Sequence, residues 1–182
     1  MSEHPQPRDI ANPVGPSESS ASGATVNTGG TRPVIRLERH LPGTPESVWA
    51  AITDRQELKS WFPTEVITDE WRAGATLRFV FPHGEAPEMT GTVLEYDPPR
   101  RLAYSWGEEV LRFALTPRPG GGTTLVLTDE LDGPIAARNA AGWDVCLDLL
   151  AGHKTDWQPL FESYSAAFEP ALGPQQGPPT PA

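Results

Sequence analysis

Residues 102–153 read LAYSWGEEVLRFALTPRPGGGTTLVLTDELDGPIAARNAAGWDVCLDLLAGH, and two periods meet inside them. Leu102, Tyr104 and Trp106 alternate with Ala103 and Ser105; Leu111, Phe113 and Leu115 then alternate with Arg112, Ala114 and Thr116. This is the period of strands that bury one face. Gly107-Glu108 makes a tight connection between the two, and Pro119-Gly120-Gly121-Gly122 turns the chain into a further strand over Thr123 to Glu130. After Pro134 the spacing changes. Ala136, Ala140, Trp143, Leu147 and Leu150 recur three or four residues apart, the stripe of an amphipathic helix over 134–151. Asp132 or Gly133 precedes that helix and Gly152 can end it.

Upstream, Thr76 to Phe81 sets Leu77, Phe79 and Phe81 against Thr76, Arg78 and Val80, and Met89 to Tyr96 gives the next strand before the turn Asp97-Pro98-Pro99-Arg100. Val34 to His40 reads as a first strand. Thr44 can cap a short helix with Pro45 at its first position and Val48, Trp49 and Ile52 on its apolar side. Asp54 can cap a second short helix through Ser60, followed by Trp61, Phe62 and the stop Pro63. Downstream, Trp157, Leu160, Phe161, Tyr164 and Phe168 share one face of a segment that either extends the long helix after a kink or packs separately. The order of strand, two short helices, antiparallel strands and long helix predicts an α+β domain: a curved antiparallel sheet wrapped around a long C-terminal helix. A curved sheet does not lie flat on a cylinder, so an apolar cavity between the two is expected.

Both ends lack the apolar content that offsets the entropy of ordering a backbone. Residues 1–33 are rich in Pro, Gly, Ser, Thr and Asn, and residues 173–182 in Pro and Gly. Both are expected to be disordered tails around a domain at 34–172, long enough for one sizeable core. The net charge is −10, and nearly all of it falls on 34–172. With no Lys/Arg stripe to reverse that field, nucleic-acid binding is not expected. The single Cys146 excludes an internal disulfide and fits a reducing compartment. Without an apolar leader or a membrane-length segment, the expected location is the cytoplasm.

The stretches PESVWAAITDRQELKSWF at 45–62, GTVLEYDPPRRLAYSW at 91–106, GGTTLVLTDEL at 121–131 and AAGWDVCLDLLAGH at 140–153 follow one another in an order that resembles the heat-shock-protein-90 ATPase activator homologue family, within the START-like (SRPBCC, Bet v 1-like) superfamily. WQPLFESYSAAF at 157–168 is similar to the ending of many bacterial members. The resemblance implies the helix-grip fold. It brings no shared catalytic set and no cofactor. Its branches imply three activities: binding a hydrophobic small molecule, docking on a chaperone as a co-chaperone-like protein, or polyketide cyclase-type catalysis. Asp129 stands where members often carry His, so an imidazole role at that position is lost.

Trp61, Phe62, Phe79, Phe81, Tyr104, Trp106, Phe113 and Trp143, with Leu147, come from the short helices, the strands and the long helix, and in a helix-grip they converge. For any one of them core packing is the plainer role; their combination with this fold makes them the expected ligand lining. A ligand burying on the order of 200 Å² of apolar surface gains about 5 kcal/mol before association costs. Glu95 shares the parity of Gly91 and Val93. It is a buried acid if that face is inward, and solvated if Leu94 and Tyr96 face inward instead. Arg78 and Arg112 fall on the polar side and are expected in solvent. His4, His40, His83 and His153 match no metal-ligand spacing, and Cys146, beside Leu147, reads as a core thiol. The glycines at 120–122 lack the Lys-Ser/Thr and following helix of a phosphate loop.

Overall fold

The computed structural model describes residues 23–84 and 86–178. The strands are β1 (Thr25–Asn27), β2 (Val34–Leu41), β3 (Glu65–Ile67), β4 (Thr76–Val80), β5 (Met89–Asp97), β6 (Arg101–Trp106), β7 (Glu109–Pro117) and β8 (Thr123–Glu130). They form one antiparallel sheet in the order β1-β2-β8-β7-β6-β5-β4-β3. The helices are α1 (Pro45–Thr53), α2 (Arg55–Leu58), α3 (Ala136–Leu150) and α4 (Trp157–Leu172). This is the expected helix-grip: α3 lies against the sheet and α4 packs along α3 as a separate helix. No described helix is long and apolar enough to cross a membrane.

Local chemistry sets the boundaries. Thr44 Oγ1 accepts from Ser47 N at 3.3 Å with Pro45 in the first turn of α1. Asp54 accepts from Gln56 N at 2.8 Å and Glu57 N at 3.1 Å to open α2. In β8, Thr123, Leu125, Leu127 and Asp129 are buried while the residues between them are half-buried. In β7, Leu111, Phe113 and Leu115 are buried, and Arg112 points out toward Glu130 at 3.3 Å. Arg78 likewise lies outside, paired with Glu88.

β5 breaks its alternation. Gly91 and Val93 are buried, but the register with β6 shifts between Val93 and Glu95. The bulge leaves both Leu94 and Glu95 exposed and returns Tyr96 to the inner side, where its ring meets Trp49 at 5.5 Å. Glu95 is therefore solvated, 3.7 Å from Arg101, although its parity matches buried neighbours and Leu94 is not inward. A Cβ on Gly91 would collide with the carbonyl oxygen of Ser105, so β5 crosses β6 closely only because that residue is glycine.

Order extends past the expected domain at both ends. β1 falls within the stretch expected to be a disordered tail; it pairs Val26 with Ile35 and so needs only the free edge of β2, not a core of its own. At the other end Gln175 Oε1 accepts from Ala137 N at 2.9 Å and Gln176 N donates to Pro134 O at 2.7 Å. The α3 N-cap, Ile135, has no side-chain acceptor to offer, and Gln175 supplies one. Residues 1–22 and 179–182 lie outside the described residues.

A polar cluster fixes the far side of α3. Asp144, 1% exposed, pairs with Arg39 of β2 and accepts from the Tyr164 hydroxyl of α4. Arg39 Nε donates to Asp148 at 3.0 Å, and Ala24 N donates to Tyr164 Oη at 2.7 Å. Removing Asp144 leaves the Arg39 guanidinium with Asp148 alone and the Tyr164 hydroxyl without its acceptor. Asp144→Ala should cost about 3 kcal/mol in urea unfolding, whereas Leu149→Ala, at an exposed position, should change stability little.

Candidate functional site

The eight aromatic residues expected as a lining form one connected cluster. Trp61 meets Phe62 at 5.3 Å and Phe113 at 6.4 Å; Phe113 meets Tyr104 at 5.8 Å, and Tyr104 meets Phe79 at 5.9 Å. Phe79 meets Trp106 at 4.6 Å, and Trp106 meets Phe62 at 5.4 Å, closing a circuit of rings. Trp143 joins through Phe62 at 5.6 Å and Trp106 at 6.0 Å, and Phe81 through Trp106 at 6.2 Å. Leu147 is fully buried one turn beyond Trp143 on α3.

These rings occupy the space expected to be an open apolar cavity. Two depressions lie on the surface. One, of about 240 Å³, sits on the outer sheet face among Glu95, Arg101, Arg112, Phe113, Val126 and Thr128. The other, of about 270 Å³, lies where the end of α1 meets β3, among Thr53, Asp54, Val66 and Trp71. Bulk explains the filling: Tyr104, Phe79 and Phe113 are among the largest fully buried side chains. Only Trp106 and Phe81 of the cluster are half-buried, and they mark its open end.

Two acids that the sequence reading did not select lie at that end. Trp106 pairs with Glu109 across the β6–β7 hairpin, and Leu111 pairs with Asp129 across β7–β8. Glu109 is half-buried and Asp129 has no exposure. Asn139 Nδ2, from α3, donates to Glu109 Oε2 at 3.0 Å and to Asp129 Oδ2 at 3.2 Å. Trp143 Nε1 donates to Asp129 Oδ2 at 3.0 Å. Asp129 Oδ1 is buried with no donor among the described residues. Burial, and then the charge of Asp129, push the Glu109 carboxyl up to about 7. Burial pushes Asp129 up to about 6 against the opposing hydrogen bonds from Asn139 and Trp143. The pair therefore holds a proton into the neutral range, and that proton can serve the otherwise donorless oxygen.

The other candidates separate from this site. Of the two polar groups weighed for a cyclase-type activity, Tyr104 lies inside, where burial raises its phenol far above the usual range, and Glu95 is on the outer face. Burial pushes the Cys146 thiol up to about 12, the behaviour of a core thiol. His40 lies 3.2 Å from Glu38 on the surface, and His83 and His153 are exposed; His4 lies outside the described residues. No group of three or more His, Cys, Asp or Glu among the described residues could hold a metal.

The family model described as Activator of Hsp90 ATPase homolog 1-like protein matches residues 42–155. The chain belongs to this family. The activator-homolog fold recurs in solved structures. EF2215 from Enterococcus faecalis, a conserved protein of unknown function, is 23% identical with a TM-score of 0.71, over 82% of this chain and 92% of that one. CalU16 from Micromonospora echinospora is 22% identical with a TM-score of 0.62, over 82% and 94%. DynU16, a putative protein in the dynemicin biosynthetic locus, is 25% identical with a TM-score of 0.55, over 65% of this chain and 46% of that one. No curated protein matches the chain significantly.

The activator-homolog sequence did carry a signal for the missed pair. Asp129 has the inward parity of Leu125, Leu127 and Leu131, and Glu109 that of Leu111 and Phe113. Both carboxyls have folded pKa values raised above their unfolded ones, so their protonated forms favour folding. That contribution is complete below about pH 4 and is lost as pH rises through 6 to 7. Asp129→Asn keeps an oxygen for Trp143 and removes the charge. Relative to the unaltered protein, it should gain about 2 kcal/mol between pH 4 and 7.5, read from urea midpoints across that range. A gain of the same size at pH 4 would contradict the buried-proton account.

Proposed function

We propose that this domain binds a small apolar molecule at the open end of the grip, against Phe62, Phe81, Trp106 and Trp143, without turning it over. The observation that supports this reading most is Trp106. It touches Phe62, Phe79, Phe81 and Trp143 and is nevertheless half-buried, an aromatic platform next to a few polar groups. Trp61, Phe79, Tyr104, Phe113 and Leu147 form the wall behind it. Because rings fill the interior, a ligand gains its place by turning Trp106 and Phe81 aside rather than by entering a standing void. The place of the structurally similar DynU16 in a biosynthetic locus is in keeping with a small-molecule ligand for this domain. Cys146 as a free thiol suits a cytoplasmic setting.

The family's description as a chaperone activator offers a second reading, in which the outer surface docks on a protein. Leu94 and Leu149 are the exposed large apolar side chains among the described residues, which gives an apolar docking patch little to build on. Titration calorimetry with the purified chaperone should give no heat; a saturable heat would favour the co-chaperone reading.

Native mass spectrometry of protein purified from its own cells should reveal a co-purified small molecule. Trp106→Ala should release it with little loss of fold, whereas Trp143→Ala should release it and also cost about 3–5 kcal/mol of stability. Retention unchanged in Trp106→Ala would remove the open end of the grip as the binding site.

A further inference from the structure

Resting on that reading, we infer that the Glu109 side chain is a proton-operated gate on the open end of the grip. It closes the margin beside Trp106 while it shares a proton with Asp129, and it turns out to solvent when that proton leaves. Glu109 and Trp106 are partners in the last pair of the β6–β7 hairpin, with Gly107 and Glu108 forming the turn beyond them. Side chains at directly opposed positions share a face and stand about 5 Å apart at Cβ. The Glu109 side chain therefore lies against the half-buried ring whose movement admits a ligand. Asp129 is its diagonal neighbour on β8, since Leu111 faces Asp129. The two carboxyls are hydrogen-bonded to each other, which takes a proton between them, and Asn139 Nδ2 bridges Glu109 Oε2 and Asp129 Oδ2.

Loss of that proton sets two like charges side by side where burial weakens screening. One of the two can leave. Asp129 has no exposure, and both Asn139 Nδ2 and Trp143 Nε1 hold its Oδ2. Glu109 is half-buried and begins its strand, and among the described residues its one side-chain donor is the neutral Asn139. The surrounding charges suit its exit. From α3, Arg138 favours the Glu109 charge without a hydrogen bond to it. Arg32, from the segment before β2, favours the Asp129 charge but is turned to Asp132 Oδ1 at 3.0 Å and to the Glu108 carbonyl at 2.6 Å. The second of these bonds ties down the hairpin turn, so the backbone stays and the Glu109 side chain moves. From β8, Glu130 points outward to Arg112. Once Glu109 has left, Trp106 keeps its packing on Phe62, Phe79, Phe81 and Trp143 and loses the carboxyl that closed its margin. Burial and the Asp129 charge put the Glu109 carboxyl at about 7, so the gate works in the neutral range. The protonated gate is shut and the ionised gate open, and apolar binding strengthens as pH rises through 7.

Titration calorimetry between pH 6 and 8 with 2-phenylethanol, an apolar probe that does not ionise over this range, tests the gate, with the Trp106 indole N–H followed by NMR. If access follows the ionised fraction of Glu109, the dissociation constant should fall about tenfold over that range. Solvent exchange of the Trp106 indole proton, corrected for its intrinsic pH dependence, should rise over the same range. Glu109→Gln keeps a neutral side chain for Asn139 and Asp129 and should stay shut, binding weakly at every pH. Glu109→Ala should stand open, binding at pH 6 as tightly as the unaltered protein does at pH 8. Circular dichroism confirms that both variants are folded. A flat dissociation constant in the unaltered protein, or a fall that persists in Glu109→Gln, would overturn the gate while leaving apolar binding intact. If 2-phenylethanol binds at no pH, the binding reading loses its support and the exchange data decide the gate alone. A rise absent from Glu109→Gln then upholds it, and no rise sinks it.

Discussion

The placement of the gripped helix rests on its polar ties to the sheet, among them the hydrogen bond from the indole of Trp143 to Asp129. That bond runs from the gripped helix to the strand beside β2, and with the Asn139 amide it lets a carboxyl sit in the apolar interior. A hydrogen bond to a charged group contributes about 1.5–3 kcal/mol, the same order as the cost of desolvating its acceptor. The same indole packs on Phe62 and Trp106, so the position of α3, the arrangement of the rings and the state of the carboxyl pair are set together. The next residue, Asp144, turns the other way to Arg39 and Tyr164. Consecutive residues of one helix turn thus anchor α3 to the sheet on one side and to β2 and α4 on the other.

A curved sheet around a helix leaves space that must be filled or left hollow. Here aromatic rings fill it, from Trp61 and Phe113 at one end of the circuit to Phe79 and Trp106 at the other. Rings are rigid and large, and a cluster of them in edge and tilted contact holds its shape with few degrees of freedom. The half-buried members are those at the margin, where a side chain has packing on one side only and can move at small cost. Binding in such a fold is a question of which rings can give way, not of how large a void exists.

The sheet and the gripped helix were legible because each rests on a local period: alternation in Thr123 to Glu130, three-and-four spacing from Ala136 to Leu150. β1 and β3 were not, since three residues carry no period and their order comes from an edge offered by β2 or β4. Glu95 shows where parity fails. It has the phase of Gly91 and Val93, and a bulge between them and it reverses the phase. The aromatic residues expected to converge do so, with Trp106 and Phe81 half-buried at the margin, but whether the space among them is hollow depends on how the rings turn, which no spacing encodes. The carboxyl pair was half legible: each acid stood in an inward phase, but their meeting needed the β7–β8 register and the approach of Asn139.

That meeting also bears on why the acids are there. A leucine at position 129 would continue the run Leu125, Leu127, Leu131 and remove a buried acid from a chain that is already strongly acidic. Replacing a buried polar group by a well-packed apolar one is commonly neutral or stabilising. Ring packing on Phe62 and Trp106 would hold Trp143 in place without the carboxylate, and Asn139, half-buried, could turn to solvent. Stability alone therefore gives little reason for Asp129, and less for a second acid beside it whose charge each must resist. Local choices that work against the fold concentrate at sites of function. In this domain they concentrate at the one end of the grip where the rings are open to solvent.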